Sequence, residues 1–211
     1  MQTVFIEGGL IRRLSTVETT VYRDHLLRLD PGSRRNRFNG TIADDTVRGY
    51  AATARGSDVI LHGFFVGGVL RGVADLHMLG REAEAAFSIE KPWQSHGVGS
   101  ALLERSLLAA RNRGAKLLQV CCLVDNYRMR KLARKFRAEL IFDCGTVIGT
   151  IANPQPTPLS LMQELVADGH SFTAAYVDFQ FRQLRSAGAL AAPLPHRRAL
   201  QVQQLPRWAT S

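Results

Sequence analysis

The glycine-containing turn at positions 94–100 is the part of the sequence best suited to chemistry. Its residues are Gln94, Ser95, His96, Gly97, Val98, Gly99 and Ser100. The turn lies between a strand-like segment and a segment of helical periodicity, so its backbone N–H groups gather at a helix N-terminus, where the helix dipole adds positive potential. Glycine has no Cβ, which lets a ligand approach the backbone closely. The turn therefore predicts a binding site for a diphosphate group.

The glycine spacing excludes two common nucleotide-binding motifs. Neither Gly-x-Gly-x-x-Gly, typical of dinucleotide-binding folds, nor the P-loop pattern Gly-x-x-x-x-Gly-Lys-Ser/Thr occurs at this turn. Two glycines close to a helix start are also compatible with tight packing alone. The turn by itself leaves both interpretations open.

Alternating strands and helices are predicted around this turn. Ser15 and Glu18 have the spacing of a capping box at the start of the first helix, and Gly67-Gly68 suits a tight hairpin. The basic segment 33–40 is predicted to be a loop that follows a helix stop at Asp30-Pro31-Gly32. Hydrophobic periodicity predicts strands at 10–14, 58–66, 69–78, 84–90, 117–124, 140–143 and 146–151, and helices at 17–29, 44–54, 98–113 and 128–137.

The sequence changes character after the prolines at positions 154, 156 and 158. We expect residues 1–153 to form the domain that contains this turn and residues 154–185 a helical extension packed on it, with helices at 159–167 and 172–184. The apolar residues of these helices offer a contact for a homodimer. Residues 186–211 contain no acidic residue and several prolines, which predicts a disordered basic tail.

Composition is that of a soluble globular protein. Of 211 residues, 45% are hydrophobic and 21% charged. No apolar stretch approaches the roughly 20 residues of a membrane helix, and we expect no membrane association. The N-terminus lacks the pattern of a secretion signal, so a cytoplasmic location is predicted. The three cysteines form no C-x-x-C pair, which indicates neither a metal site nor a disulfide; we expect them to be small buried residues.

Two motifs on consecutive strand–helix units resemble those of the GNAT acyltransferase superfamily. Gln94-x-x-Gly97-x-Gly99 is similar to its coenzyme A signature, and the resemblance is closest to the branch that acetylates protein lysines. Asn126, followed by Met129 and Leu132 at the expected spacing, is similar to the second motif. The resemblance covers about residues 10–151. It implies an α/β (α+β) fold with a mixed, mostly antiparallel sheet, splayed parallel central strands and helices on both faces.

The resemblance also implies how acetyl-CoA, or another acyl-CoA, would bind as co-substrate. Backbone N–H groups from Ser95 to Gly99 would hold the pyrophosphate, with Ser100 close to it. The strands at 84–90 and 117–124 would diverge and expose backbone groups for the pantetheine arm, around Phe87, Ser88 and Ile89. Asn126 would contact the cofactor or simply cap the next helix. No metal is implied.

A proton acceptor is needed because an alkylamine is mostly protonated at neutral pH. Glu84 lies ten positions before Gln94, which resembles the placement of the base in the lysine-acetylating branch; Glu82 and His77 are alternatives. An exposed strand end without catalytic role is the competing interpretation of both glutamates. Many family members have a tyrosine seven residues after the asparagine, where this chain has Ala133, so either water protonates the leaving thiolate or the chemistry is impaired.

The expected function is therefore transfer of an acyl group to a primary amine, of a small molecule or a protein lysine, in a ternary complex. A catalytically silent acyl-CoA sensor or scaffold is the first alternative. A nucleic-acid-binding protein is the second, suggested by the net charge of +9 and the basic residues of 34–37 and 128–135. No recognition motif accompanies these charges, and the second group has a simpler use near the cofactor phosphates.

Overall fold

The computed structural model describes residues 8–54, 56 and 58–169. Within these residues one sheet has the strand order β1-β2-β3-β4-β5-β7-β6. The strands are β1 Leu10–Arg13, β2 Val59–Val66, β3 Val69–Leu79, β4 Glu82–Ile89, β5 Leu117–Leu123, β6 Glu139–Asp143 and β7 Thr146–Ala152. The helices are α1 Thr19–Arg28, α2 Pro31–Phe38, α3 Asp44–Thr53, α4 Val98–Asn112, α5 Tyr127–Lys135 and α6 at 158–169.

The central feature of the sheet is the divergence of β4 from β5. These two strands run parallel and pair only at Glu82–Leu117, Ala83–Leu118 and Glu84–Gln119, whereas the other neighbouring strands pair antiparallel. β4 continues to Ile89 and β5 to Leu123 without pairing to each other. The gap exposes backbone N–H and C=O groups that require other partners. The predicted fold class, including the splayed central strands, is confirmed.

Helices cover both faces of this sheet. On one face, α4 packs through Leu103, Ala109 and Ala110 against buried strand residues such as Ala83 and Leu118. On the other face, α1 and α3 pack on β2 and β3 through Tyr22, Leu26, Leu29, Val47 and Ala51. The alternation of side chains along each strand supplies both apolar surfaces.

The predicted loop at 33–40 is wrong, because most of it forms α2. Asp30 caps this helix, with its Oδ1 accepting a hydrogen bond from the Ser33 backbone N–H at 3.1 Å. Pro31 occupies the first turn, where a missing N–H costs nothing. Asp30-Pro31 therefore ends the preceding helix and also starts the next, so the same residues satisfy both patterns.

Arg37 of α2 is buried rather than solvated. Its guanidinium forms an ion pair with Asp75 of β3, whose carboxylate also accepts hydrogen bonds from the hydroxyls of Tyr22 and Tyr50. Asp75 is fully buried. A buried charge is tolerated only when it is paired and hydrogen-bonded, so this group attaches α1, α2 and α3 to the centre of the sheet.

Two further sequence expectations concern the cysteines and the C-terminal region. Cys122 is buried and Cys121 half-buried, but Cys144 is exposed in the turn between β6 and β7, so its predicted burial is wrong. The predicted helix at 159–167 lies within α6, whereas the predicted helix at 172–184 and tail at 186–211 lie outside the described residues. In the part of the chain that the structure describes, none of the helices has the length and apolar character needed to cross a membrane.

Candidate active site

The turn at 94–100 connects β4 to the N-terminus of α4. Gly97 precedes the helix with a φ of 84°, and a Cβ added there would meet nothing within 4 Å. The backbone conformation therefore favours glycine at this position, and no protein atom crowds the place where a Cβ would lie. The first helical hydrogen bond runs from the Ala101 N–H to the Gly97 carbonyl at 3.1 Å. The N–H groups of Val98, Gly99 and Ser100 consequently have no acceptor within the helix and point towards the turn.

A cleft of about 470 Å³ lies beside this turn. One wall is the end of β4, which diverges from β5, and the opposite walls come from α2 and α5. The lining residues are Ser33, Asn36, Phe87, Ser88, Ile89, Gln94, Ser95, Gly97, Gly99, Ser100, Asn126, Arg128, Met129, Lys131, Leu132 and Lys135. Three of these side chains are cationic and none is anionic, which favours a negatively charged ligand.

Gln94 connects three walls of the cleft. Its Nε2 donates to the Ile89 carbonyl at 2.8 Å and to the Ser33 hydroxyl at 2.9 Å. Its Oε1 accepts a hydrogen bond from the Arg128 guanidinium. The side chain therefore holds the end of β4, the start of α2 and the first turn of α5 in a fixed relation.

The cationic wall of the cleft comes from α5. Arg128, Lys131 and Lys135 share one helix face because they are spaced by three and four residues. Lys135 Nζ donates to the Ser100 hydroxyl at 3.0 Å, which brings this face against the start of α4. The sequence places the basic residues of 128–135 near the cofactor phosphates as a group, but these three were not named among the predicted site residues, although their helical spacing is visible in the sequence. Ser33 and Asn36 were missed because α2 was predicted to be a loop.

Not every residue of the two predicted motifs places its side chain in the cleft. Asn126 lines the cleft and also caps α5, since its Oδ1 accepts a hydrogen bond from the Met129 N–H at 3.1 Å. His96 is exposed and does not line the cleft, and the Val98 side chain is buried in the core. Only the backbone of Val98 can therefore serve a ligand at the α4 N-terminus.

Glu84 lies at the point where β4 and β5 part. It is the last β4 residue to pair with β5, opposite Gln119, and on its other side it pairs with His77 of β3. Directly paired residues project from the same face of a sheet, so the three side chains form a row. Glu82 and Glu84 are both exposed, and neither lines the cleft. Glu82 accepts a hydrogen bond from Gln119 Nε2 at 3.3 Å.

The face that carries Glu84 is continuous with the cleft. Alternation along β4 places Glu84, Ala86 and Ser88 on the same side, and Ser88 lines the cleft about 13 Å further along the strand. Across the gap, burial and the negative charge of Glu84 together raise the pKa of the Cys121 thiol. Burial and the neighbouring Cys121 raise the pKa of Cys122 to about 11. Neither thiol is poised to form a nucleophilic thiolate.

No group of three or more His, Cys, Asp or Glu side chains within residues 8–54, 56 and 58–169 is arranged to hold a metal ion. The polar side chains that line the cleft are instead amides, hydroxyls and cations, and they lie beside the apolar side chains of Phe87, Ile89, Met129 and Leu132. This set, with the free N–H groups of α4, is suited to phosphate oxygens.

Comparisons with known proteins agree with this arrangement. The acetyltransferase (GNAT) family matches residues 23–137. The GNAT domain of S. lividans PAT has a TM-score of 0.60 and 20% identity, with 68% of this chain and 90% of that domain covered. The ribosomal-protein-S18-alanine N-acetyltransferase from Escherichia coli has a TM-score of 0.56 and 15% identity, with 71% of this chain and 97% of that enzyme covered. The PaiA N-acetyltransferase from Thermoplasma acidophilum, in complex with coenzyme A, has a TM-score of 0.54 and 14% identity, with 68% of this chain and 98% of that enzyme covered. No curated protein matches by sequence.

The chain belongs to the acetyltransferase (GNAT) family, because the match spans more than half of its length. It is therefore an N-acetyltransferase by class. The structural relatives share less than 25% identity with it, so they establish the fold and not a particular substrate.

Proposed function

We propose that this protein transfers an acyl group from acyl-CoA, with acetyl-CoA as the usual donor, to a primary amine of a small molecule or a protein lysine. The observation that carries this proposal is the gap between β4 and β5, which leads into a cationic cleft at the N-terminus of α4. A solved relative with this fold is a complex with coenzyme A, which supports the choice of donor.

In this proposal the cleft holds the phosphate end of the donor. The backbone N–H groups between Ser95 and Gly99, with the nearby Ser100 hydroxyl, contact the pyrophosphate. The cations of α5 neutralise its charge. The pantetheine arm then lies along the unpaired edge of β4 at Phe87 and Ile89, where its amides replace the missing hydrogen bonds of β5.

The acyl group would then lie near Glu84, at the closed end of the gap. The amine nitrogen attacks the thioester carbonyl carbon, the carbon–sulfur bond breaks, and the proton lost by the amine passes to the Glu84 carboxylate. Glu82 and His77 are the alternative acceptors. Ala133 is buried in the core and offers no proton, so solvent protonates the departing thiolate.

Attack within a ternary complex is supported by the state of the cysteines. A covalent acyl-enzyme route needs a reactive nucleophile near the donor, and the raised pKa values of Cys121 and Cys122 oppose thiolate formation. Direct attack needs only that donor and amine be aligned, because the thioester is already activated.

Release of coenzyme A tests the proposal. Acetyl-CoA would be incubated with polyamines, aminoglycosides, amino acids and lysine peptides, and free thiol would be measured with the unaltered chain and with Glu84→Gln. The absence of a side-chain donor at Ala133 favours a second candidate, a silent acyl-CoA sensor. Binding of acetyl-CoA without turnover on any acceptor would support that candidate, whereas no binding at all would contradict both.

A further inference from the structure

A buried hydrogen-bonded group lies behind the end of β4. His25 of α1 is fully buried, and its Nε2 is 3.0 Å from the Ser88 hydroxyl. Its Nδ1 faces Glu90 Oε1 at 3.5 Å. Ser88 and Glu90 are two residues apart and project from the same side of the chain, so one imidazole spans both.

Two arginines hold the Glu90 end of this group. Arg28 Nε donates to Glu90 at 3.1 Å and Arg71 Nη1 at 2.8 Å, while Arg28 Nη2 also donates to the Leu70 carbonyl at 2.7 Å. Burial raises the pKa of Glu90, but the neighbouring His25 ring and the hydrogen bonds from Arg71 and Arg28 outweigh it and lower the pKa to about 2. The carboxylate therefore stays ionised and gives the imidazole a fixed electrostatic partner.

Ser88 lies in the part of β4 that has no β5 partner. A strand that is paired on one side only is less restrained than a central strand, so its position depends on other anchors. The Ser88 hydrogen bond attaches this segment directly to α1. The neighbours Phe87 and Ile89 are the residues whose backbone faces the cleft in the proposed function.

We infer that His25 is a positioning residue for the cofactor edge of β4: through Ser88 it holds the Phe87–Ile89 backbone in the geometry that binds acyl-CoA, and Glu90 orients its ring. This inference rests on the proposed function, because it assumes that acyl-CoA lies along this edge.

Two variants of His25 distinguish the contact of its ring with Ser88 from the contact with Glu90. His25→Gln places an amide near the Nε2 position and keeps the Ser88 contact, whereas His25→Asn places an amide near Nδ1 and keeps only the Glu90 contact. Both remove the buried ring, so both should lower the thermal midpoint. We expect the KM for acetyl-CoA to rise about tenfold in His25→Asn and in Ser88→Ala, and to stay within about twofold in His25→Gln, with kcat little changed.

Calorimetry with acetyl-CoA completes the test. If the unaltered chain binds acetyl-CoA and the three variants bind equally well, or if affinity only follows the loss of stability, the inference is wrong and the proposed function stands. If the unaltered chain does not bind acetyl-CoA, both fail. Ser88→Ala is a small change at a buried strand position, so it keeps the inference testable should the His25 variants not fold.

Discussion

Replacement of Gly97 by valine tests the cofactor turn most directly. The φ of 84° at this position is unfavourable for any residue with a Cβ and most of all for a β-branched one. Because the space around the missing Cβ is open, the cost is backbone strain, about 1–3 kcal/mol. The turn can escape this strain by changing its dihedral angles, but the N–H groups at the start of α4 then no longer converge.

The expected loss of acetyl-CoA affinity follows from the same backbone strain. A ligand that needs the original turn must restore it, so acetyl-CoA should lose about 1–3 kcal/mol of binding free energy, where 1.4 kcal/mol corresponds to a tenfold weaker Kd. We therefore expect calorimetry to show about 5- to 150-fold weaker binding for Gly97→Val, with the circular dichroism spectrum unchanged.

Gly145 provides a matched control. It has a φ of 86° and equally open surroundings, but it lies in the β6–β7 turn and does not line the cleft. Gly145→Val should lower the free energy of unfolding by a similar amount and leave acetyl-CoA affinity unchanged. If Gly97→Val binds acetyl-CoA as tightly as the unaltered chain, the turn does not hold the phosphates through its backbone and the argument is refuted.

Three other predictions concern the base, the cationic wall and Glu90. Glu84→Gln should lower the rate about 10²–10⁴-fold at pH 7, while acetyl-CoA still binds. This loss of rate should become smaller as the pH rises, and full activity of the variant would show that Glu84 is not the general base. Lys131→Ala should weaken acetyl-CoA binding several-fold, about 1 kcal/mol, and reduce its salt dependence, whereas Arg134→Ala, exposed on the same helix but outside the cleft, should do neither. Because the pKa of Glu90 is lowered to about 2, its negative charge should stabilise the fold by about 3 kcal/mol above pH 4.5. This stabilisation should disappear as the pH falls towards 2. Urea unfolding of Glu90→Gln should show no such loss of stability at low pH.

The elements that the sequence predicted well are those determined by neighbouring residues. Gly67 and Gly68 both have positive φ, 56° and 76°, in the predicted hairpin turn, and Ser15 and Glu18 form the predicted capping box. The position of the glycine turn before α4 followed in the same way from glycine spacing and helical periodicity. In each case the signal and the structure lie within a few residues, so propensity and local hydrogen bonding decide the conformation.

Asp30 and Pro31 show where local signals become ambiguous. The pair fits the stop of α1 and the cap of α2 equally well. What favours the helical form is the burial of Arg37 against Asp75, a residue 38 positions away. No local pattern around the basic segment contains that partner.

The site itself was decided by the tertiary structure. The divergence of β4 from β5 depends on the register of strands more than thirty residues apart, and Gln94 reaches Ser33 across 61 positions. His25 and Ser88 are 63 positions apart and carry no shared motif. The sequence determined which residues can form a phosphate-binding turn and which strands lie beside it, because those are local properties. Which side chains meet at the cleft depends on long-range packing, whose energy is collective and is not carried by any single segment.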